Sequence, residues 1–204
     1  MKTTLCVLAS GLALAFSGAT AFAGSTGDTY QSGYNNDASI TQLYNSDATA
    51  YIGQEGNLNV ANATQKFSKG DVHVWQAGYN NTANVSQDSV SGSRSNVVQE
   101  GNLNVANTTQ SDGGLQYTKV YQAGYNNTAN STQQNDGFAE SRIIQEGNLN
   151  VGNVSQSNGI GQEAKIYQAG YNNTANISQT GSFLTASAVQ QGNLNVSNIT
   201  QRGW

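Results

Sequence analysis

The chain has 204 residues, with 12 acidic against 8 basic side chains, a net charge of −4, and only 10% charged residues. This balance excludes nucleic acid as the main ligand, because such a ligand requires a basic face. Proline is absent and the remaining residues are dominated by Asn, Gln, Ser, Thr and Gly. Since proline cannot donate a hydrogen bond to a β-ladder, its absence favours a structure made mostly of paired strands.

Residues 1–23 have the pattern of a secretory signal peptide. Lys2 supplies a positive start, residues 5–16 an apolar stretch, and Ala21 and Ala23 a small-residue cleavage site, so we expect the mature chain to begin at Gly24. The apolar stretch is too short to span a membrane, and no later segment predicts a transmembrane span. The single cysteine, Cys6, lies in this leader, so no disulfide is expected in the secreted protein.

After a short segment, residues 24–30, one twelve-residue motif, Q-x-G-x-x-N-x-A-x-x-x-Q, occurs eight times across residues 31–201. Its leading glutamines are Gln31, Gln54, Gln76, Gln99, Gln122, Gln145, Gln168 and Gln190. A period of 22 or 23 residues predicts a solenoid in which each repeat is one rung and packs only against its neighbours. We number the rungs 1 to 8, expect them to form one domain, and treat residues 202–204 as a C-terminal tail.

Rung 4 illustrates the predicted secondary structure. Residues 94–99 alternate in polarity as a strand does, Gly101 begins a turn, and residues 104–110 alternate again. The closure that follows is strand, turn, strand, with Gln, Asn, Ala and aliphatic side chains facing inward. The fold class predicted is therefore all-β, a β-solenoid of eight two-strand rungs with cross-β, amyloid-like stacking.

Stacked rungs lie about 4.8 Å apart, which places each inward amide above the same amide of the next rung. A primary amide both donates and accepts, so two Gln columns and one Asn column are expected to form hydrogen-bonded ladders along the axis. The predicted internal ladder residues are Gln54, Asn59, Gln65, Gln76, Asn81, Gln87, Gln99, Asn104, Gln110, Gln122, Asn127, Gln133, Gln145, Asn150, Gln156, Gln168, Asn173 and Gln179.

This motif resembles the curlin repeat of bacterial curli, the amyloid fibre subunits of enterobacterial biofilms, over residues 31–201. The resemblance implies a secreted β-solenoid subunit that polymerises with itself into adhesive extracellular fibres at the cell surface. It also implies an outer-membrane export pore and a nucleator subunit as partners. Whether the chain is a major subunit or a nucleator stays open.

The terminal rungs are the predicted self-assembly surfaces, because each leaves a backbone edge that an incoming chain would satisfy. The residues predicted to carry assembly are Gln31, Gly33, Asn36, Ala38 and Gln42 in rung 1, and Gln190, Gly192, Asn195, Ser197 and Gln201 in rung 8. We expect growth by templated head-to-tail stacking.

The repeats also alternate in kind. Odd rungs resemble Q-A-G-Y-N-N-T-A-N and even rungs Q-E-G-N-L-N-V-A-N. Glu55, Glu100 and Glu146 are therefore two rungs apart, about 9.6 Å on the rung spacing, which limits repulsion between them. Gln191 replaces the glutamate in rung 8, and an even rung would meet an odd rung where two copies join.

Charged residues outside the motif predict a solvated surface. Lys119 and Arg142 are expected to pair diagonally with Glu140 and Glu163, and Lys165 completes a line of three cations that could instead bind anionic polymer. Acids in the outer connections are interpreted as exposed residues that slow premature aggregation. They are Asp71, Asp88, Asp112 and Asp136.

Catalysis is not predicted. His73 is the single histidine, and the chain offers no base beside an activated nucleophile, no metal site and no cofactor site. The recurring N-x-S/T triplets, such as that at Asn107, are interpreted as part of the repeat and not as glycosylation sites.

Two alternatives remain. One is a monomeric β-solenoid whose flat Thr and Asn columns, including Thr82, Thr128 and Thr174, bind ice or carbohydrate. The other is a minor nucleating subunit that decorates a fibre made by another chain.

Overall fold

The computed structural model describes residues 24–203; the signal peptide predicted at residues 1–23 lies outside the described residues, as does Trp204. Fifteen strands account for 78% of the described chain. They are β1 (Thr26–Tyr34), β2 (Asp37–Leu43), β3 (Thr49–Asn57), β4 (Val60–Lys66), β5 (Lys69–Tyr79), β6 (Thr82–Asn102), β7 (Val105–Gly114), β8 (Gln116–Tyr125), β9 (Thr128–Gln134), β10 (Ala139–Asn148), β11 (Val151–Ser157), β12 (Gln162–Tyr171), β13 (Thr174–Thr180), β14 (Thr185–Asn193) and β15 (Val196–Arg202).

These strands form eight rungs of two strands each, which confirms the predicted all-β solenoid. The first strands stack in the order β1, β3, β5, β6, β8, β10, β12, β14, and every pair is parallel. The second strands stack as β2, β4, β6, β7, β9, β11, β13, β15, again parallel. Residues 26–30, which precede the motif, pair with β3 and so complete rung 1.

Strand β6 belongs to both stacks because it continues from rung 3 into rung 4. Its first half pairs with β4 and β7, and its second half with β5 and β8. The chain turns the corner at Ser89 and Gly92, which both have positive φ, and the register shifts where Lys69 and Gly70 pair with this segment. One outer connection is therefore a bent strand with a bulge.

The motif glutamines set the register in both stacks. Gln122 aligns with Gln99 on one side and with Gln145 on the other. In the second stack Gln133 aligns in the same way with Gln110 and Gln156. Repeats of 22 and 23 residues differ by one residue in the connection between rungs and not in the motif. Identical motif side chains therefore stay aligned along the axis.

The core between the two stacks is thin and consists of small and β-branched residues. Ile52, Val97 and Ile143 lie two residues before the leading glutamine and are fully buried. The alanine of the motif faces them and is buried in most rungs, as at Ala106. In rung 6, where Gly152 replaces this alanine, an added Cβ would lie 3.0 Å from the Ile143 side chain. Small residues are required there because the two sheets approach closely.

A glycine column shapes the turn between the two strands of each rung. Gly101 has φ +108°, and a Cβ added to it would lie only 2.2 Å from the carbonyl oxygen of Gly124 in the next rung. Two residues later the chain again has positive φ, at Asn in odd rungs such as Asn126 and at Leu in even rungs such as Leu103. The turns therefore stack backbone against backbone, which only glycine permits.

Candidate functional site

The leading glutamines form one continuous hydrogen-bonded ladder from rung 1 to rung 8. In each step Nε2 of one glutamine donates to Oε1 of the next, from Gln31 through Gln122 to Gln190, and all seven distances are 2.8 Å. The second amide proton crosses to the other stack, as in Gln122 Nε2 to Val105 O at 3.0 Å. Each internal glutamine is thus bonded both along and across the solenoid.

The closing glutamines of the motif form a second ladder with the same direction. It runs from Gln42 to Gln201 with N···O distances of 2.8–3.0 Å. Its cross-bonds reach the first strand of the same rung, as from Gln156 Nε2 to Glu140 O at 3.0 Å. The two glutamine ladders therefore hydrogen-bond the two strand stacks to each other, one ladder from each stack.

The inward asparagines form a third ladder with the opposite direction. Asn127 Nδ2 donates to Asn104 Oδ1 of the preceding rung at 3.1 Å, and the Asn127 backbone N–H donates to the same oxygen at 3.0 Å. The pattern extends from Asn36 to Asn195. All eighteen internal ladder residues predicted from the motif are fully buried. Their polar atoms are compensated without any charge, which makes their burial tolerable.

A fourth ladder runs on the outer face of the second stack and was not predicted. Its Nδ2 to Oδ1 distances are 2.7–2.9 Å. Its members are Asn62, Asn84, Asn107, Asn130, Asn153, Asn176 and Asn198. These are the asparagines of the N-x-S/T triplets. The recurrence of that triplet in the sequence could therefore have predicted this ladder.

The terminal rungs end these ladders with complementary groups. In rung 8 the amides of Gln190 and Gln201 each have a cross-bond but no rung above to receive their second proton. In rung 1 the matching acceptors are Gln31 and Gln42, which donate upward. The asparagine ladder reverses this relation, since Asn195 donates downward to Asn173 and presents its oxygen to the open end.

Exposure follows the same division between ends and interior. All nine residues of β1, including Gln31 and Gly33, are exposed, whereas internal strands alternate between buried and accessible positions. In rung 8 Gly192 is exposed, Asn195, Ser197 and Gln201 are half-buried, and Gln190 is buried. At the same motif positions in rung 1, Asn36 and Ala38 are half-buried and Gln42 is buried. The two end surfaces therefore present polar, hydrogen-bonding backbone and side chains to solvent.

Alternation of the rungs produces two kinds of contact between them. From odd to even rungs, a turn tyrosine N–H donates to an asparagine Oδ1, as from Tyr125 to Asn148 at 3.1 Å. Where an odd rung follows rung 4 or rung 6, a tyrosine hydroxyl of the odd rung donates to a glutamate of the even rung, as from Tyr121 to Glu100 at 3.0 Å. This hydrogen bond, followed by burial, raises the pKa of Tyr121.

Two sequence-based expectations about charged residues are wrong. Arg142 pairs with Glu140 at 2.6 Å and Lys165 pairs with Glu163, so these two ion pairs lie within a rung and not diagonally between rungs. Residues two apart on one strand share a face, and these long side chains bend toward each other there. Asp136 is buried and not an exposed acid, and its Oδ1 accepts from the Gly159 N–H of the connection that follows rung 6.

Within residues 24–203 no three His, Cys, Asp or Glu side chains lie close enough together to hold a metal ion. In the same part of the chain no helix has the length and apolarity needed to cross a membrane.

The match with known families is confined to the C-terminal end of the solenoid. Residues 170–203 match the family model of the curlin associated repeat, which confirms for these residues the resemblance inferred from the motif. They cover the turn of rung 7, strand β13 and both strands of rung 8. The other rungs carry the same motif in the same register. Among curated proteins, none matches the chain significantly.

Proposed function

We propose that this chain, which carries a curlin associated repeat on a β-solenoid, is a structural subunit that polymerises with itself into extracellular, curli-like amyloid fibres. Polymerisation occurs by templated head-to-tail stacking, in which rung 1 of one copy is placed on rung 8 of another. The fibre serves biofilm matrix and adhesion, and the chain acts without catalysis, cofactor or metal.

The observation that carries this proposal is the complementarity of the two ends. Rung 8 presents amide donors in both glutamine columns and an acceptor in the asparagine column. Rung 1 presents the glutamine oxygens and the backbone N–H of Asn36, whose side-chain amide already donates to Ser32 O and Gly56 O. A second copy in the register of the internal rungs continues all three ladders and pairs both backbone edges. Exposed sheet edges of this kind otherwise promote uncontrolled association.

Export and localisation follow from the family resemblance. Residues 1–23 direct secretion as a signal peptide, an outer-membrane pore exports the chain, and a nucleator subunit starts polymerisation at the cell surface. Burial of neutral amides instead of large apolar groups supports this route, since an unfolded chain of such composition exposes little apolar surface before it assembles.

The test is the growth of residues 24–204 diluted from denaturant, followed by thioflavin T fluorescence with and without preformed seeds. We expect a lag phase that seeds remove, together with fibres that have a cross-β repeat of about 4.8 Å. A soluble β-rich monomer that melts sharply and gives no fluorescence increase would contradict self-assembly.

One observation favours a second candidate, a binding module. The fourth asparagine ladder and the adjacent Ser/Thr column form a shallow groove on the outer face, lined by Asn153, Ser155, Asn176 and Ser178. Such a regular polar face suits an extended carbohydrate. Pull-down of the monomer by an insoluble polysaccharide, abolished by Asn153→Asp and Asn176→Asp together, would support this function.

A further inference from the structure

We infer that copies of this chain join through a specific contact in which the Tyr30 hydroxyl of one copy bonds the Gln191 side chain of the next. This inference rests on the proposed head-to-tail assembly and assigns the residues that set its polarity and register. The partner is a second copy of the same chain.

The internal even-to-odd interfaces provide the template. Tyr121 of rung 5 lies one residue before its leading glutamine and donates to Glu100, one residue after the leading glutamine of rung 4. Tyr167 of rung 7 and Glu146 of rung 6 repeat this geometry at 3.1 Å. At two of the three internal even-to-odd interfaces a hydroxyl on the odd rung thus meets an acceptor on the even rung below it, and at the third Trp75 takes the place of the tyrosine.

The boundary between rung 8 and rung 1 of a second copy is also an even-to-odd interface. Tyr30 stands one residue before Gln31, and Gln191 one residue after Gln190, so they occupy the positions of Tyr121 and Glu100. The Gln191 carbonyl oxygen accepts as the carboxylate does, but without its charge.

The Tyr30 ring is already held in place within its own chain. It stacks on Trp75, two rungs away, with ring centroids 6.4 Å apart and planes inclined by 9°. Gly53 lies between them, and a Cβ there would be 2.4 Å from the Trp75 ring. The glycine therefore makes room for the stack, and the stack reduces the entropy that Tyr30 would lose when a second copy binds.

Charge explains why glutamine replaces glutamate at this interface. Rung 1 contains Asp28 and Asp37 and no basic residue, whereas rung 8 contains Arg202 and no acidic residue. A glutamate at position 191 would cancel the positive charge of rung 8. With Gln191, the two ends carry opposite charges and attract each other before contact.

The other ways of joining two copies are disfavoured. Two rung 8 surfaces would oppose the amide donors of Gln190 and Gln201 with the same donors. Two rung 1 surfaces would oppose their acceptors and bring Asp28 and Asp37 against a second pair of acids. A slip by one residue would place outward side chains in the core. The remaining register is the one that brings Tyr30 to Gln191.

The test is a double-mutant cycle measured on the critical concentration of the fibre, that is, the soluble protein left at the plateau. Tyr30 and Gln191 lie at opposite ends of one molecule, so any coupling between their substitutions arises between copies. We expect Tyr30→Phe and Gln191→Ala each to raise the critical concentration roughly two- to tenfold, the contribution of one hydrogen bond. The critical concentration of the double variant should be no higher than that of either single variant.

The matched control is Tyr121→Phe, which removes the same hydroxyl from an internal interface. Combined with Gln191→Ala it should give multiplying effects on the critical concentration, because Tyr121 and Gln191 share no contact within a copy or between copies. Independent, multiplying effects of Tyr30→Phe and Gln191→Ala would overturn the contact while head-to-tail assembly stands. If wild-type protein forms no fibres in the same assay, the proposed function itself fails.

Discussion

The carboxyl group of Asp136 is buried in the connection between rungs 5 and 6. Its Oδ1 accepts from the Gly159 N–H at 2.9 Å, and its Oδ2 has no partner among the described residues. Burial raises the pKa of Asp136 to about 6, although backbone hydrogen bonds act in the opposite direction. Asn45 holds the equivalent place in rung 1, and there Nδ2 donates to the Gln65 carbonyl at 3.0 Å. At this position an asparagine can donate a hydrogen bond to the neighbouring carbonyl, whereas an ionised aspartate has no proton to donate.

Asp136→Asn is therefore expected to stabilise the protein at neutral pH. Because its pKa is raised in the folded state, protonated Asp136 contributes to the free energy of unfolding. That contribution is fully present below about pH 4 and is lost as the pH rises through about 6. The free energy of unfolding of the variant should exceed that of wild type by about 2–3 kcal/mol at pH 7.5 and by little at pH 4. Denaturant unfolding of wild type and variant at each of these two pH values measures the difference in free energy. The control is Asp112→Asn at an exposed acid, and an equal gain there would contradict the explanation.

Gly192 is the one member of the turn glycine column whose added Cβ would meet nothing close, since its nearest atom is Asn195 Nδ2 at 3.8 Å. At the other positions the Cβ would strike the next rung, as at Gly101. In a fibre the next rung above Gly192 belongs to another copy. The steric restriction at this position is therefore between molecules.

Gly192→Ala should consequently act as a chain terminator. The variant can add to a growing end through its normal rung 1, but its own rung 8 then rejects the next copy. We expect a small molar fraction of the variant to reduce the final length of wild-type fibres in electron micrographs. Gly161→Ala shares the positive φ but would meet only the Phe183 side chain, so it controls for backbone strain. Equal shortening by both variants would argue against a steric block.

At the scale of elements, the ladders connect each strand to its neighbours through buried amides. Gln122 accepts from Gln99, donates to Gln145, and also donates to the Val105 carbonyl. Removing this one side chain takes one hydrogen bond from each of three buried groups, the Gln99 amide, the Gln145 Oε1 and the Val105 carbonyl. Each such loss costs about 1–3 kcal/mol.

Gln122→Leu should therefore destabilise the solenoid by roughly 3 kcal/mol or more, although it conserves volume and adds apolar surface. Hydrogen exchange should localise the loss to rungs 4 to 6, since rungs contact only their neighbours. Asn107→Ala, which removes a half-buried amide from the outer ladder, is the control and should cost less because water replaces its partners. A stable Gln122→Leu variant would contradict a structural role for the ladder.

At the scale of the whole molecule, the proposed head-to-tail joint makes an even number of rungs more important than the total number. A chain ending at residue 184 retains seven rungs and would place Ala169 opposite Tyr30 of the next copy. A chain ending at residue 161 retains six rungs and would place Glu146 there, an acceptor that already bonds a tyrosine hydroxyl internally.

At about 1 M salt, which screens the repulsion between the acids of rung 6 and those of rung 1, we expect the six-rung chain to elongate its own seeds faster than the seven-rung chain, despite being shorter. Seeded growth rates at equal concentration measure this difference. Stability alone predicts the opposite order, because a solenoid gains stability with each added rung. Faster growth of the seven-rung chain would show that rung alternation does not govern joining.

The sequence by itself determined the rungs, their number and the inward faces, because a fixed repeat and a period of two are properties of the chain that need no knowledge of neighbours. The same local logic placed Gln122, Asn127 and Ala129 inside. It did not predict the left-handed backbone of Leu103, since isolated leucine avoids that conformation. In the solenoid the Leu103 N–H donates to the Tyr79 carbonyl of the preceding rung at 3.0 Å.

Tertiary structure alone decided the direction of each ladder, the fourth ladder of outward asparagines, the ion pair between Arg142 and Glu140, and the burial of Asp136. An amide can donate upward or downward with equal ease, so its orientation depends on which backbone carbonyl its other proton reaches. Ion pairs depend on side-chain rotamers, and the outer connections vary in length and path. These features arise from contacts between rungs, which a repeat motif does not specify.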